Sequence, residues 1–89
     1  MRAIIAITAA DSVGIIAFVS TYLARCNVNI LDISQTIMQD HFVMIMLVDC
    51  KDSVVPFESL RSGLLAQGVE RNLSIHVQRE DIFNAMHRV

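Results

Sequence analysis

The fold of this chain is decided by the stretch DSVGII at positions 11–16. Residues 3–7 before it form a short apolar run typical of a buried strand, and residues 13–24 after it have helical spacing. A strand that turns directly into a helix exposes unpaired backbone N–H groups, which favour an anion. Gly14 then has two interpretations: it gives a ligand close access to the backbone, or it relieves crowding where the helix leaves the sheet.

The first helix is predicted from its cap and its apolar spacing. Asp11 or Ser12 is the expected N-cap. Ile16, Val19 and Leu23 recur at helical intervals and are predicted to face the core. The asparagines of residues 26–29 suit a turn and end the helix.

Three further strands and a second helix follow. Residues 30–38 alternate, with Leu31, Ile33 and Ile37 on one side, which predicts a half-buried strand. The unbroken apolar run of residues 42–48 predicts a strand covered on both faces. A second helix is expected from Ser53 as N-cap and Pro56 in the first turn. This helix has apolar residues at Phe57, Leu60 and Leu64 and two destabilising glycines, Gly63 and Gly68. The last strand is predicted from the alternating residues Leu73, Ile75 and Val77.

The element order β-α-β-β-α-β predicts a ferredoxin-like α+β sandwich. This fold has a four-stranded antiparallel sheet with two helices on one face, and right-handed crossovers place the first and third strands in its centre. Residues 1–89 are expected to form a single domain with a short helical C-terminal tail at 79–89. The uncovered sheet face would be apolar, which predicts a homodimer or larger homo-oligomer. Edge-to-edge and face-to-face arrangements both fit.

Composition excludes several classes of function. The 89 residues include 7 basic and 9 acidic side chains without a basic cluster, which argues against nucleic-acid binding. No apolar run reaches the ~20 residues that span a membrane. Cys26 and Cys50 are far apart in sequence, and we expect both to be reduced, as is typical of a cytoplasmic protein. Residues 1–10 resemble a weak signal peptide, but removing them would delete a strand.

No catalytic set, cofactor site or metal site is predicted. His41, His76 and His87 lack the local spacing of metal ligands. The sequence lacks the arginine in residues 8–14 that an acylphosphatase would need and the C-x-x-C pair that a metallochaperone would need. It also lacks the set of exposed aromatic residues expected of an RNA-recognition domain. A binding role therefore fits better than an enzyme.

The motifs D-x-x-G-I-I at 11–16 and N-V-N-I at 27–30 resemble the ACT domain. ACT domains are small regulatory modules that bind amino acids and other small ligands at subunit interfaces. Residues 29–38 and 78–88 are similar to a subfamily of stand-alone bacterial and archaeal ACT proteins of uncharacterised function. The chain departs from that subfamily at Ala9-Ala10, where a glycine is expected, and this predicts a stiffer, narrower loop.

The resemblance implies a ligand site between the first loop and the start of the second strand, often across a dimer. Gly14 and Ile15 would offer backbone N–H groups to a carboxylate. Asn29 would offer its side-chain amide and Ile30 backbone hydrogen bonds, while Asp11 could meet an ammonium group or cap the helix.

The first hypothesis is a non-enzymatic regulatory homodimer that binds a small effector, an amino acid, and reports it to a protein partner. The alternative is a ligand-free dimerisation or protein-interaction module. Residues 34–36 could line a ligand site or a polar interface.

Overall fold

The predicted element order is confirmed by a computed structural model that describes residues 1–11 and 13–82. A helical segment begins at Glu80, and the rest of the predicted tail lies outside the described residues. The elements in chain order are β1 (Arg2–Ala9), α1 (Ile15–Arg25), β2 (Asn29–Met38), β3 (His41–Asp49), α2 (Phe57–Glu70) and β4 (Ser74–Arg79).

The strands form one antiparallel sheet in the order β2-β3-β1-β4, so β1 and β3 are central as predicted. Ala9 pairs with Phe42 at one end of the sheet, where β1 leads into α1. Asn29 pairs with Asp49 at the opposite end, where β2 begins. We call these the Gly14 end and the Asn29 end.

The core lies between one face of the sheet and both helices. Alternate residues of β1 and β3 are buried against the helices, and burial of each large aliphatic side chain contributes about 1.5–3 kcal/mol. The largest side chains with almost no exposure are Ile5, Ile7, Val19, Leu23, Met44, Met46, Val48, Leu60 and Leu64.

The start of α1 differs from the prediction. Ile15 is buried, whereas Ile16 is 40% exposed and does not belong to the core face. The helix begins only after Gly14, and its phase places Ile15 one turn before Val19 and two turns before Leu23. The predicted core positions of Val19 and Leu23 are confirmed.

The start of α2 also differs in its cap. Pro56 is the N-cap residue, and none of the described side chains caps this helix. The Ser53 hydroxyl instead donates a hydrogen bond to the Val55 carbonyl at 2.8 Å and accepts one from the Val55 N–H at 3.3 Å. Ser53 therefore fixes the turn that leads into the helix.

Helix α2 continues past both of its glycines and ends at Glu70. A Cβ atom at Gly68 would lie 2.9 Å from Cδ1 of Ile75. Gly68 therefore allows α2 to pack closely on β4, and tertiary contact overrides its low helix propensity.

The prediction of a half-buried β2 is wrong. Every residue of β2 except Ile30 is exposed. A bulge interrupts the pairing between Ile30 and Asp32, and Ile33 then pairs with buried Met46 on the helix side of the sheet. Ile37 is nevertheless 68% exposed, because the helices cover the sheet centre rather than this edge.

The sheet face opposite the helices is apolar at its centre, as predicted. Ile45 is 45% exposed there. Its partly buried neighbours on the two central strands are Ile4, Ala6, Val43 and Leu47. Within residues 1–11 and 13–82, none of the helices has the length and apolar character to cross a membrane.

Candidate functional site

Gly14 holds a left-handed backbone conformation at the start of α1, with φ 75° and ψ −4°. A side chain there would be strained, since L-residues other than Asn and Asp rarely adopt this region. A Cβ atom at Gly14 would have no neighbour within 4 Å. The crowding interpretation is therefore wrong: the backbone angle requires glycine, and the space beside it is open.

Among the described residues, no side chain caps the first turn of α1. Gly14 is the N-cap residue, and no acidic residue lies in the first turn. Asp11 does not cap the helix; its Oδ1 accepts a hydrogen bond from the Val13 N–H at 3.1 Å. Ser12, the other predicted cap, lies outside the described residues. The backbone N–H groups that open α1 therefore have no acceptor within the helix, which favours an anionic ligand.

An open cleft of about 420 Å³ lies beside Gly14. We call it the Gly14 cleft. Among its described residues, Arg71 is the cation and Asp11 the anion. The lining residues are Ala9, Ala10, Asp11, Val13, Gly14, Ile15, Arg71, Asn72 and Leu73.

Arg71 was not predicted as a site residue. Its guanidinium carbon lies 4.2 Å from the ring centroid of Phe18, which is a cation–π contact that restricts the guanidinium. The topology offered a signal: Thr8 pairs with Ser74, so the turn between α2 and β4 must lie beside the turn after β1.

Asn29 and Ile30 lie at the other end of the sheet from Gly14. Asn29 lines a second cleft there, together with Asn27 and Asp49. The five predicted site residues therefore do not converge within one protomer. Asp11, Gly14 and Ile15 share the Gly14 cleft, while Asn29 and Ile30 lie apart from it.

The remaining titratable groups do not form a catalytic arrangement in the described part of the chain. His41 and His76 are exposed on separate strands, and His87 lies outside the described residues. Residues 1–11 and 13–82 contain no cluster of three metal-binding side chains. Burial raises the pKa of Tyr22 and of Cys50, and neither residue lines the Gly14 cleft.

Comparisons with known proteins identify the family. The ACT domain family model matches residues 2–78. A UPF0237 protein of Clostridium acetobutylicum is 53% identical over 89 residues, covering 100% of each chain. A UPF0237 protein of Methanocaldococcus jannaschii is 47% identical, covering 99% of this chain and 98% of its own. The structure of an ACT domain protein from Streptococcus pneumoniae matches with a TM-score of 0.83 and 39% identity, covering 98% of both chains. The chain belongs to the ACT domain family.

Proposed function

We propose that this chain is a non-enzymatic regulatory module that binds an amino acid in the Gly14 cleft and acts as a homodimer. ACT domains are generally regulatory and bind small ligands. The observation that carries the proposal is the open space beside Gly14, next to backbone N–H groups that no described side chain caps. An α-carboxylate would accept hydrogen bonds from the N–H groups of Gly14 and Ile15.

The charges of the cleft fit a zwitterion. Arg71 would pair with the ligand carboxylate, because a guanidinium offers several N–H donors in one plane. Asp11 keeps one oxygen in its bond to the Val13 N–H, and its carboxylate would attract the ligand ammonium group. A ligand with both charges therefore complements the cleft better than a simple anion.

Asn29 could reach the Gly14 cleft only from a second copy, because the two residues lie at opposite ends of one sheet. β2 is an exposed edge of ten residues, and pairing two β2 strands antiparallel would reverse their ends. The Asn29 end of one copy would then lie beside the Gly14 end of the other. This supports an edge-to-edge homodimer with two composite sites.

The alternative is a ligand-free dimerisation or protein-interaction module. The exposed apolar side chains of β2 favour this alternative, since Ile37 and Met38 are 68% and 61% exposed. These side chains are available for contact with a protein whether or not a ligand occupies the Gly14 cleft. The free cysteines Cys26 and Cys50 fit a reducing cytoplasm in either case.

Thermal unfolding with each of the twenty amino acids tests the proposal. A ligand at a hundred times its dissociation constant should add about 2.7 kcal/mol to the free energy of unfolding. Asp11→Asn and Asn29→Ala should abolish the shift, while Ser59→Ala, an exposed control on α2 outside the Gly14 cleft and outside β2, should keep it. If no amino acid shifts the transition, the ligand-free module is the better description.

A further inference from the structure

A groove follows the outer face of the helix pair, separate from the sheet. One stripe of α1 lines it, with residues spaced by three and four as on one face of a helix. The groove has a volume of about 400 Å³. We call it the α1–α2 groove, and its lining residues are Gly14, Ala17, Phe18, Thr21, Tyr22, Arg25, Gln67 and Arg71.

The groove is cationic and aromatic in a chain whose net charge is −2. Arg25 and Arg71 are exposed, Phe18 and Tyr22 are partly buried, and no described carboxylate lines the groove. Its charge is therefore opposite in sign to that of the whole protein. An anionic partner would be attracted to this face in particular.

The arginines of the groove also differ from the other described arginines. Each of the others has a carboxylate within ion-pair distance: Arg2 with Glu80, Arg61 with Glu58, and Arg79 with Asp81. Within residues 1–11 and 13–82, Arg25 and Arg71 have no such carboxylate. The Arg71 guanidinium carbon lies 4.2 Å from the Phe18 ring centroid. The flat face of the guanidinium is therefore occupied, while the N–H groups of Arg71 remain available. In the described part of the chain, the groove thus presents two guanidinium groups without a carboxylate partner, and that of Arg71 lies against an aromatic ring.

The positions of Phe18 and Arg25 along α1 fit an extended partner segment. Arg25 lies seven positions after Phe18, the residue that contacts Arg71, and this corresponds to about 10 Å along α1. In a polyproline II segment, residues three apart lie on the same side, roughly 9 Å from each other. Carboxylates at such positions would match the two arginines, with an apolar residue between them over Phe18 and Tyr22.

We propose that the α1–α2 groove docks an extended acidic segment of a partner protein, with carboxylates three residues apart paired to Arg71 and Arg25. This inference concerns the partner of the module and does not depend on an amino acid binding in the Gly14 cleft. Gly14 and Arg71 line both the cleft and the groove, so a cleft ligand that pairs with Arg71 would weaken docking.

Fluorescence anisotropy tests the proposal with a labelled peptide, Glu-Pro-Leu-Glu-Pro-Leu-Glu, and a matched peptide with Gln in place of Glu. We expect the full chain to bind the Glu peptide at low salt and to bind the Gln peptide at least about tenfold more weakly. Arg25→Gln and Arg71→Gln should each weaken Glu-peptide binding about fivefold, and Arg61→Gln should leave it unchanged.

Three results would overturn the proposal: no binding of the Glu peptide, equal binding of both peptides, or an equal effect of Arg61→Gln. Tighter binding of a single-stranded oligonucleotide of the same charge would assign the groove to nucleic acid instead. Arg25 lines the groove and not the Gly14 cleft, so Arg25→Gln should keep any amino-acid thermal shift. Failure of peptide docking is therefore distinguishable from failure of ligand binding.

Discussion

The Tyr22 hydroxyl lies where a side chain at Gly63 would need to be, because a Cβ atom built there would overlap it. Gly63 is in the interior of α2, where alanine normally gains about 1 kcal/mol over glycine. We expect Gly63→Ala to lose this gain, since Tyr22 must leave its position and its contacts with the core residues. Chemical denaturation measures the change in the free energy of unfolding.

A double-mutant cycle isolates the contact between these residues. In a Tyr22→Phe background the hydroxyl is absent, so Gly63→Ala should be more favourable than in the wild type by at least about 0.5 kcal/mol. Gly63→Ala in an Ala17→Ser background serves as the control. Additive effects of Gly63→Ala and Tyr22→Phe would contradict the close contact.

We expect substitutions at Gly14 to affect stability in a different way, because its environment is open and only its backbone angle is restrictive. Gly14→Ala should destabilise the protein by about 1–2 kcal/mol, the cost of a left-handed conformation for a residue with Cβ. Gly14→Asn should cost clearly less, since Asn adopts this conformation more readily. Equal losses for Ala and Asn, measured by urea denaturation, would show that contact rather than the backbone angle makes glycine necessary.

The fold could be predicted from the sequence because hydrophobic periodicity is a local signal. The unbroken apolar runs of β1 and β3 predicted central strands, and both are central. Burial of β2 could not be predicted in this way, because alternation indicates which residues share a face and not whether a helix covers that face. Ile33 and Ile37 are on the helix side and remain exposed for this reason.

The candidate site was predictable only where its residues are neighbours in sequence. Asp11, Gly14 and Ile15 share one turn and one cleft. Arg71 enters that cleft through the pairing of β4 with β1, which a linear motif does not express. The resemblance grouped Asn29 with Gly14, often across a dimer, and the register places the two residues at opposite ends of the sheet within one protomer.

The exposed β2 edge leads to a prediction about assembly. In the proposed edge-to-edge dimer, Ile37→Lys should weaken association by about tenfold or more, since a charged side chain on an edge strand opposes strand addition. The fold itself should be little affected, because Ile37 is 68% exposed. Sedimentation equilibrium measures the dissociation constant.

The matched control for that experiment lies on the opposite edge of the sheet. His76 is exposed on β4, and His76→Lys should leave the dissociation constant unchanged if β2 is the interface. A stable monomer in the wild-type protein would refute the dimer. An effect of His76→Lys larger than that of Ile37→Lys would move the interface to β4.

Alkaline pH should destabilise the folded chain through Cys50. Burial raises the pKa of this thiol above its ordinary value of 9.0; the N-terminal ammonium group opposes the shift and Asp49 adds to it. The folded state therefore keeps a proton that the unfolded chain releases, so its stabilising effect is complete below about pH 9 and is lost as pH rises through the raised pKa. Burial shifts the pKa of Tyr22 in the same direction from a higher ordinary value, 10.0.

Urea denaturation between about pH 8 and pH 10.5 measures this loss as a falling free energy of unfolding. Cys50→Ala should flatten the lower part of the curve, and Tyr22→Phe the part at higher pH. Cys26→Ala removes the other, more exposed thiol and is the matched control. If Cys26→Ala and Cys50→Ala change the slope equally, burial of the Cys50 thiol is not the cause of the alkaline loss.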